Sequence, residues 1–224
     1  MDKNPYGTNE GHKAERKLAN KWRLIEKYQA TSYQGQGNYS DNTDDVYILN
    51  TLADLAMLWK HTSYSQPSSL FFDFQNQKIR SIEVNSEKKM VDGLLLFKDD
   101  IKPKWEDPAN AFGSSFVIEF SAPSKQEMDT IWESVVFAMV GNCFPHSECV
   151  NGLRMLDRLK KHKVVKFEIW VSVGLKKWKN DAEKVKKNQE MIDDIIAHFH
   201  KIINKVIKVS IHLISTNDHF VSLR

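Results

Sequence analysis

Val164 to Val171 (VVKFEIWV) alternates without a break, and this alternation limits the possible folds more than any other stretch. Val165, Phe167, Ile169 and Val171 fall on one side, with Lys166, Glu168 and Trp170 on the other. Successive side chains of a strand point to opposite faces, so this is a strand with one face in a core and the other carrying charge and an indole. Leu153 to Lys160 alternates in the same way and puts Arg154, Leu156, Arg158 and Lys160 on one face. The basic turn Lys160-Lys161-His162-Lys163 joins the two runs. A chain built around this pair needs more antiparallel strands and something to cover their apolar side.

The remaining sequence supplies both. Leu18 to Tyr28 reads as a strand, followed by a loop over residues 29–45 rich in Gly, Ser, Asn and Gln that carries Tyr33 and Tyr39. Val46 to Leu49 is a second strand. Thr51 then stands at an N-cap with Asp54 three residues on, and Leu52, Leu55, Leu58 and Trp59 form a helical stripe. Phe116 to Phe120 reads as a strand. Ser124 and Glu127 form a capping box for a helix that stops at Gly141, and Asn180 to Lys205 has the stripe of a long amphipathic helix. Val206 to Ile214 reads as a closing strand. Residues 61–93 have no clear period and are left as a long, partly structured excursion, and residues 1–17 read as a disordered polar arm. There is no internal repeat and no splitting linker. The sum is a single α+β domain over 18–224, with antiparallel strands and about three long helices.

The chemistry concentrates in Leu94 to Asp107 (LLLFKDDIKPKWED), where an apolar run gives way to charge, to Pro103 and then to Trp105-Glu106. An indole on a loop after a strand offers a stacking face. A carboxylate beside it can accept two parallel N–H bonds from a purine edge. A guanine quaternised at N7 needs both, because a cationic base stacks on an electron-rich ring more strongly than a neutral one. The net charge of +3 does not oppose a phosphate ligand, and it disfavours general binding of single-stranded RNA. No clustered carboxylates, nucleophile elbow or metal triad stand out, so the sequence points to a non-enzyme without cofactor or metal. Asp99-Asp100 lacks a third ligand in sequence reach, and His198 and His200 are spaced for opposite faces of a helix. No apolar run approaches a membrane span and no apolar signal core is present, so neither membrane insertion nor secretion is expected. The two cysteines, Cys143 and Cys149, read as reduced thiols of a cytoplasmic protein.

Three segments carry a family resemblance: LFKDDIKPKWEDPANAFGSSFVIEF (Leu96 to Phe120), IWESVVFAMVGNCF (Ile131 to Phe144), and NGLRMLDRLK with KFEIW (Asn151 to Trp170). In these the chain resembles the eukaryotic translation initiation factor 4E family, whose members bind the mRNA 5′ cap. The likeness is good over residues 94–171 and weak over 18–60, and it is of the kind diverged paralogues show, those of kinetoplastid protists among them. It implies a curved antiparallel sheet, helices on its convex face and a slot for 7-methylguanosine on its concave face. Trp105 matches one of the two stacking rings, and Glu106 the acid on the guanine N1 and N2. Arg158 and Lys166 match phosphate-binding residues, with Lys160 sharing their face, and Trp170 matches the Trp that meets the methyl group. The implied function is cap binding for translation initiation; the alternative is a diverged interaction scaffold or translational repressor.

Three departures stand out. The loop that normally supplies the first stacking Trp has none; counting back from Val46 favours Tyr39, with Tyr33 second. Ser115 stands where the family often carries a basic residue. The helix Trp that anchors partner peptides falls at Ala56; Leu52 and Phe137 remain, and Glu133 replaces an apolar residue. The expected partners are therefore a capped mRNA 5′ end and a scaffold-type initiation factor or repressor peptide with a diverged motif, engaged by a monomer.

Overall fold

The structure, a computed structural model, describes residues 15–29, 42–71, 81–84, 87–121, 123–175, 178–206 and 212–218. Strands β1 (Lys17–Tyr28) and β2 (Thr43–Thr51) lead into helices α1 (Leu52–His61) and α2 (Pro67–Phe71). Next come β3 (Ser81–Val84), β4 (Glu87–Lys98), β5 (Ser114–Ser121) and α3 (Lys125–Val140). The chain continues through β6 (Val150–Arg158), α4 (Leu159–His162), β7 (Val164–Val171), α5 (Ala182–Val206) and β8 (His212–Asp218). Among the described residues the eight strands form one antiparallel sheet in the order β2-β1-β4-β6-β7-β5-β8, with β3 paired to β4 beside this path.

The helix starts follow from their capping residues. The Thr51 hydroxyl accepts the Asp54 N–H, and the Asp54 carboxylate accepts the N–H groups of Asn50 and Thr51 at 2.9 and 2.8 Å. Ser124 and Glu127 exchange the same pair of bonds at the start of α3, which ends at Gly141. On the covered side of the sheet, Trp22, Leu24, Leu94, Leu96, Leu153, Met155, Val165, Phe167, Ile169, Phe116 and Ile118 pack against α1, α3 and α5. Leu58, Trp132, Val135, Ile192, Ile195 and Phe199 are the buried helix residues on the other side of that core.

Three sequence-based expectations are corrected, and one, the partly structured excursion at residues 61–93, gains its elements. The sheet is open and flat, with no strong curl: β2 and β8 lie at opposite ends of the path and do not meet. Period-two alternation fixes which residues share a face, whereas curling a sheet requires a coordinated tilt and stagger of all its strands. The curvature had come from the resemblance alone, so the sheet has a helix-covered face and an open face in place of a convex and a concave one. Second, residues 61–93 contain a 3₁₀ turn at Ser63–Ser65, α2, β3 and the first half of β4. Gly93 lies inside β4, where a Cβ would meet Met155 O at 2.9 Å and the Leu156 side chain at 2.8 Å; close strand approach explains this glycine. Third, β6 ends at Arg158, so Lys160 belongs to α4 and not to the strand face it was expected to share. Fourth, Val206 ends α5, and the last strand runs over His212–Asp218. Most of the arm at residues 1–17 lies outside the described residues; Lys17 already belongs to β1.

Candidate functional site

The strand registers lay out the open face in rows. Arg23, Phe97, Gly152, Trp170 and Ser115 are cross-strand neighbours. Ile25, Leu95, Arg154, Glu168 and Val117 form the next row, and Lys27, Gly93, Leu156, Lys166 and Glu119 the third. A small apolar cluster of Ile25, Leu95, Phe97 and Trp170, with Ile101 and Trp105 packed on it, occupies one end of this face. Arg23, Lys27, Arg154, Lys166, Glu168 and Glu119 bring charge to the rest, with Leu156 and Val117 among them.

Trp170 is fixed from several sides. Phe97 meets it edge-on, with ring centroids 5.5 Å apart at 80°. Phe97 in turn needs Gly152, where a Cβ would lie 2.4 Å from its ring. The Trp170 Nε1–H points to Glu168 Oε2 at 3.4 Å, and the Arg154 guanidinium lies 5.4 Å from the ring centroid. The Trp105 ring lies over Trp170 at 3.5 Å between centroids and 11° between planes. Trp170 is 1% exposed, Trp105 half-buried and Glu106 exposed.

The turn bearing Trp105 and Glu106 is mounted on a stitched loop. Asn110, fully buried, donates from Nδ2 to the carbonyls of Lys102 and Lys104 at 2.9 and 3.0 Å. Asn151 donates to Asn110 Oδ1 and to the Ala109 carbonyl, both at 2.9 Å. The Asp107 carboxylate accepts the N–H groups of Lys102 and Ala109 at 2.9 and 3.0 Å. At the start of the loop, Asp99 accepts from Arg23 Nε at 2.9 Å and from its NH2 nitrogen at 2.6 Å, and pairs with Lys21 at 2.8 Å. The hydrogen bond from Lys21, with those from Arg23, holds the Asp99 carboxyl below its ordinary range. Arg23 also pairs with Asp45 and so ties this loop to the start of β2. Between them opens a cleft of about 850 Å³, lined by Arg23, Ile25, Asp45, Ile101, Pro103 and Glu106 among others.

The two basic residues expected to hold phosphate each already have an acid. Lys166 Nζ lies 2.9 Å from Glu168 Oε1, and Arg154 lies 3.0 Å from Glu168 Oε2. Burial pushes the Glu168 carboxyl up, but Arg154 and Lys166 outweigh it and hold it below the ordinary glutamate range. Arg158 and Lys27 share Asp92 at 3.3 and 2.9 Å. Asp92 is the extra residue where β4 slips against β1, between the pairs Lys27↔Gly93 and Tyr28↔Val91. Such a bulge re-aims a side chain that strict alternation would send to the covered face.

The structure therefore brings Trp105, Glu106, Lys166 and Trp170 to one side of the sheet, with Arg158 beside them. Tyr33, Tyr39 and the Lys160 side chain lie outside the described residues. Residue pattern had named Arg154 and Glu168 only as members of alternating faces; their pairing was there to be read from opposite charges on facing strands. Nothing in the local sequence marked Arg23, Asp92 or Asn110.

On the helix-covered side, Leu52, Met57 and Phe137 are 45, 52 and 40% exposed, and Ala56 is exposed among them. Trp59, which had been read only as part of the stripe, lies 4.6 Å from the Phe137 ring, and its Nε1–H donates to Glu133 at 2.9 Å. No described helix is long and apolar enough to cross a membrane.

Known proteins with this sequence pattern and fold are consistent with one another. A Drosophila melanogaster eukaryotic translation initiation factor 4E1 is 28% identical over 137 residues, 61% of this chain and 44% of that protein. The isoform 4E factor of Nicotiana tabacum is 35% identical over 99 residues, 40% of this chain and 48% of its own. The chain thus spans about half the length of these curated relatives. Among solved structures, Ascaris suum eIF4E-3 in complex with an m2,2,7G cap superposes with a TM-score of 0.61 at 17% identity, covering 92% of this chain and 96% of that one. Caenorhabditis elegans eIF4E-3 in complex with the 4E-binding protein Mextli gives 0.58 at 18% identity, covering 89% and 93%. These two structures establish a shared fold. The sequence model described as "Eukaryotic initiation factor 4E" matches residues 17–220, nearly the whole described chain, and on that match the chain belongs to the eukaryotic initiation factor 4E family.

Proposed function

We propose that this member of a non-catalytic family binds the 7-methylguanosine 5′ cap of mRNA in the cytoplasm and serves translation initiation. The observation that carries this reading is Trp105 held flat over Trp170 on the open face, with exposed Glu106 next to it on the same turn. In this reading Trp105 stacks on the methylated base, Glu106 accepts the guanine N1 and N2 protons, and Lys166 and Arg158 meet the phosphates. A methylated guanine brings a positive charge to the indole face, which favours it over the unmethylated base by cation–π attraction.

The exposed apolar residues Leu52, Met57 and Phe137 on α1 and α3 are the surface for a scaffold or repressor peptide. Ala56 offers no indole there, and Glu133 is engaged by Trp59, so the peptide motif differs from one built for an apolar pocket at those positions.

A second reading, a scaffold that no longer binds cap, draws on specific observations. Trp105 is already covered by Trp170, and Lys166 and Arg158 are already paired with acids. Tryptophan fluorescence separates the two. Titration with 7-methyl-GTP should quench emission, GTP should do so far less, and Glu106→Ala should abolish the difference. Equal responses to the two nucleotides, or none to either, would remove the cap reading and leave the scaffold.

A further inference from the structure

We infer that Glu168 is a competing acid built into this face: it holds Lys166 while no ligand is bound, and a ligand phosphate has to take Lys166 from it. Glu168 thereby makes binding depend on the charge of the phosphate chain. This rests on the cap-binding reading and gives that site a residue that works against its ligand.

On the open face each of two acids is shared by two bases. Glu168 has Arg154 and Lys166, and Asp92 has Lys27 and Arg158. Neither Lys166 nor Arg158 therefore offers its full charge to a ligand. The trio around Glu168 is also uneven. Arg154 stands directly across from Glu168 in the strand register, its side chain is 15% exposed, and it lies 3.0 Å from Oε2. The Trp170 Nε1–H points to the same oxygen at 3.4 Å. Lys166 meets the other oxygen, Oε1, from the same face of its own strand, and its side chain is 27% exposed. A guanidinium is the cation suited to a buried carboxylate, and an ammonium on a flexible stem is the one that can swing away.

The protein can release Lys166 without stranding a buried charge. Stripping a buried carboxylate of its last cation is strongly destabilising. Glu168, at 7% exposed, keeps Arg154 when Lys166 turns outward. Arg154 also helps to hold the carboxyl below the ordinary glutamate range, so Glu168 stays ionised and competes at neutral pH.

Whatever takes Lys166 has to outweigh one carboxylate. With both acceptors on one ammonium at charge-assisted distances, carboxylate and phosphate are roughly 6 Å apart and repel. A nucleoside has nothing to set against Glu168, and a single phosphate has little more than the carboxylate it displaces. A triphosphate also reaches toward Arg158, which follows Leu156, the cross-strand neighbour of Lys166, on the same strand. The pairing of Lys166 with an acid, which taken alone favours a scaffold, becomes a threshold that ligands with short phosphate chains fail to pass.

Calorimetric titration with 7-methylguanosine, 7-methyl-GMP and 7-methyl-GTP tests this in wild type, Glu168→Gln, Glu119→Gln and the double variant Glu168→Gln/Lys166→Met. Glu168→Gln should bind 7-methyl-GTP about three- to tenfold more tightly than wild type, the effect of removing one charge roughly 6 Å from a phosphate in a well-screened site. Its affinity for 7-methylguanosine should be unchanged, which also shows that the variant is folded, and adding Lys166→Met should cancel the gain. Glu119 is the half-buried cross-strand neighbour of Lys166 on β5, and Glu119→Gln should give a smaller gain. The wild type supplies a second measurement that no folding defect can obscure. Coupling is reciprocal, so 7-methyl-GTP should raise the titration midpoint of the Glu168 carboxyl, followed by NMR, by about half to one pH unit, and 7-methylguanosine should leave it in place. Equal or weaker binding of 7-methyl-GTP by Glu168→Gln, with 7-methylguanosine binding intact, overturns the competition and leaves cap binding standing. A gain in Glu119→Gln as large as that in Glu168→Gln does the same. Failure of both wild type and Glu168→Gln to bind any methylated ligand overturns the cap-binding reading and this inference with it.

Discussion

Strand β7 shows two ways of burying side chains, one on each face. Toward the helices, Val165, Phe167 and Ile169 are at most 1% exposed and belong to the apolar core. On the opposite face Glu168 and Trp170 are nearly as inaccessible, at 7 and 1%, yet each is held by specific partners, on β7 itself and on other elements. Glu168 has Arg154 and Lys166; Trp170 has Trp105, Phe97 and the Glu168 carboxylate. Area removed from water holds the first group, and any apolar residue of the right size serves. Pairing holds the second, and each member depends on a particular neighbour. The covered face is held by area, and the open face by particular pairs.

The difference predicts how each face fails. Phe167→Ala removes a fully buried ring that also meets Phe120 edge-on at 5.4 Å, and it should lower stability by about 3–5 kcal/mol. Urea unfolding reads this directly. On the cap-binding reading, the folded fraction of the variant should still prefer 7-methyl-GTP, because Phe167 faces away from Trp105 and Trp170. A loss below about 1 kcal/mol would mean the covered face is not the main source of stability.

The counterpart on the open face is Glu168→Leu, which leaves Arg154 and Lys166 without their shared acid. Removing one member of a fully buried pair costs about 3–5 kcal/mol, and partial exposure of Lys166 puts the expectation nearer 2 kcal/mol. The same carboxylate gives a pH signature. Its folded pKa is depressed, so its contribution is complete above the ordinary glutamate value of about 4.3 and is lost as pH falls through the lower, folded value. Wild type and Glu168→Gln should therefore differ in stability near neutral pH and converge in strong acid. A difference that stays constant with pH would show that shape, and not charge, makes Glu168 matter.

This contrast also explains what the sequence could and could not reveal. Alternation in Val164–Val171 and the capping residues Thr51, Asp54, Ser124 and Glu127 are local signals, and the elements they mark are where they were expected. Trp105-Glu106 was legible as chemistry because a stacking ring beside an acid is unusual on a loop. Pairings across strands were harder to see. The pair Arg154–Glu168 joins residues on different strands, and Asp92 reaches Lys27 and Arg158 only because a bulge breaks the two-residue rhythm. The stack of Trp105 on Trp170 depends on how a 15-residue connection between β4 and β5 folds back over the sheet, which no periodicity encodes. Gly93 carried no local signal for a related reason: the close contact that requires it comes from β6, more than sixty residues on.

The smallest expected change in stability is the one that most sharpens the contrast. Arg158 is about one-third exposed and shares Asp92 with Lys27, whose contact is the shorter, 2.9 against 3.3 Å. After Arg158→Ala, Asp92 keeps Lys27 as its partner and no buried charge is left alone. Partly exposed ion pairs of this kind contribute about 0–1 kcal/mol, so unfolding should shift by less than about 0.5 kcal/mol. Ligand affinity should respond differently. If Arg158 serves the phosphates, the advantage of 7-methyl-GTP over 7-methyl-GMP should shrink severalfold in the variant, and raising salt should narrow it further in the wild type than in the variant. The discrimination between methylated and unmethylated base should stay as it was, since Arg158 lies outside the stacked pair. A variant that keeps the full triphosphate advantage would place Arg158 with Asp92 in the structural charge network alone, and leave Lys166 as the basic residue for phosphate.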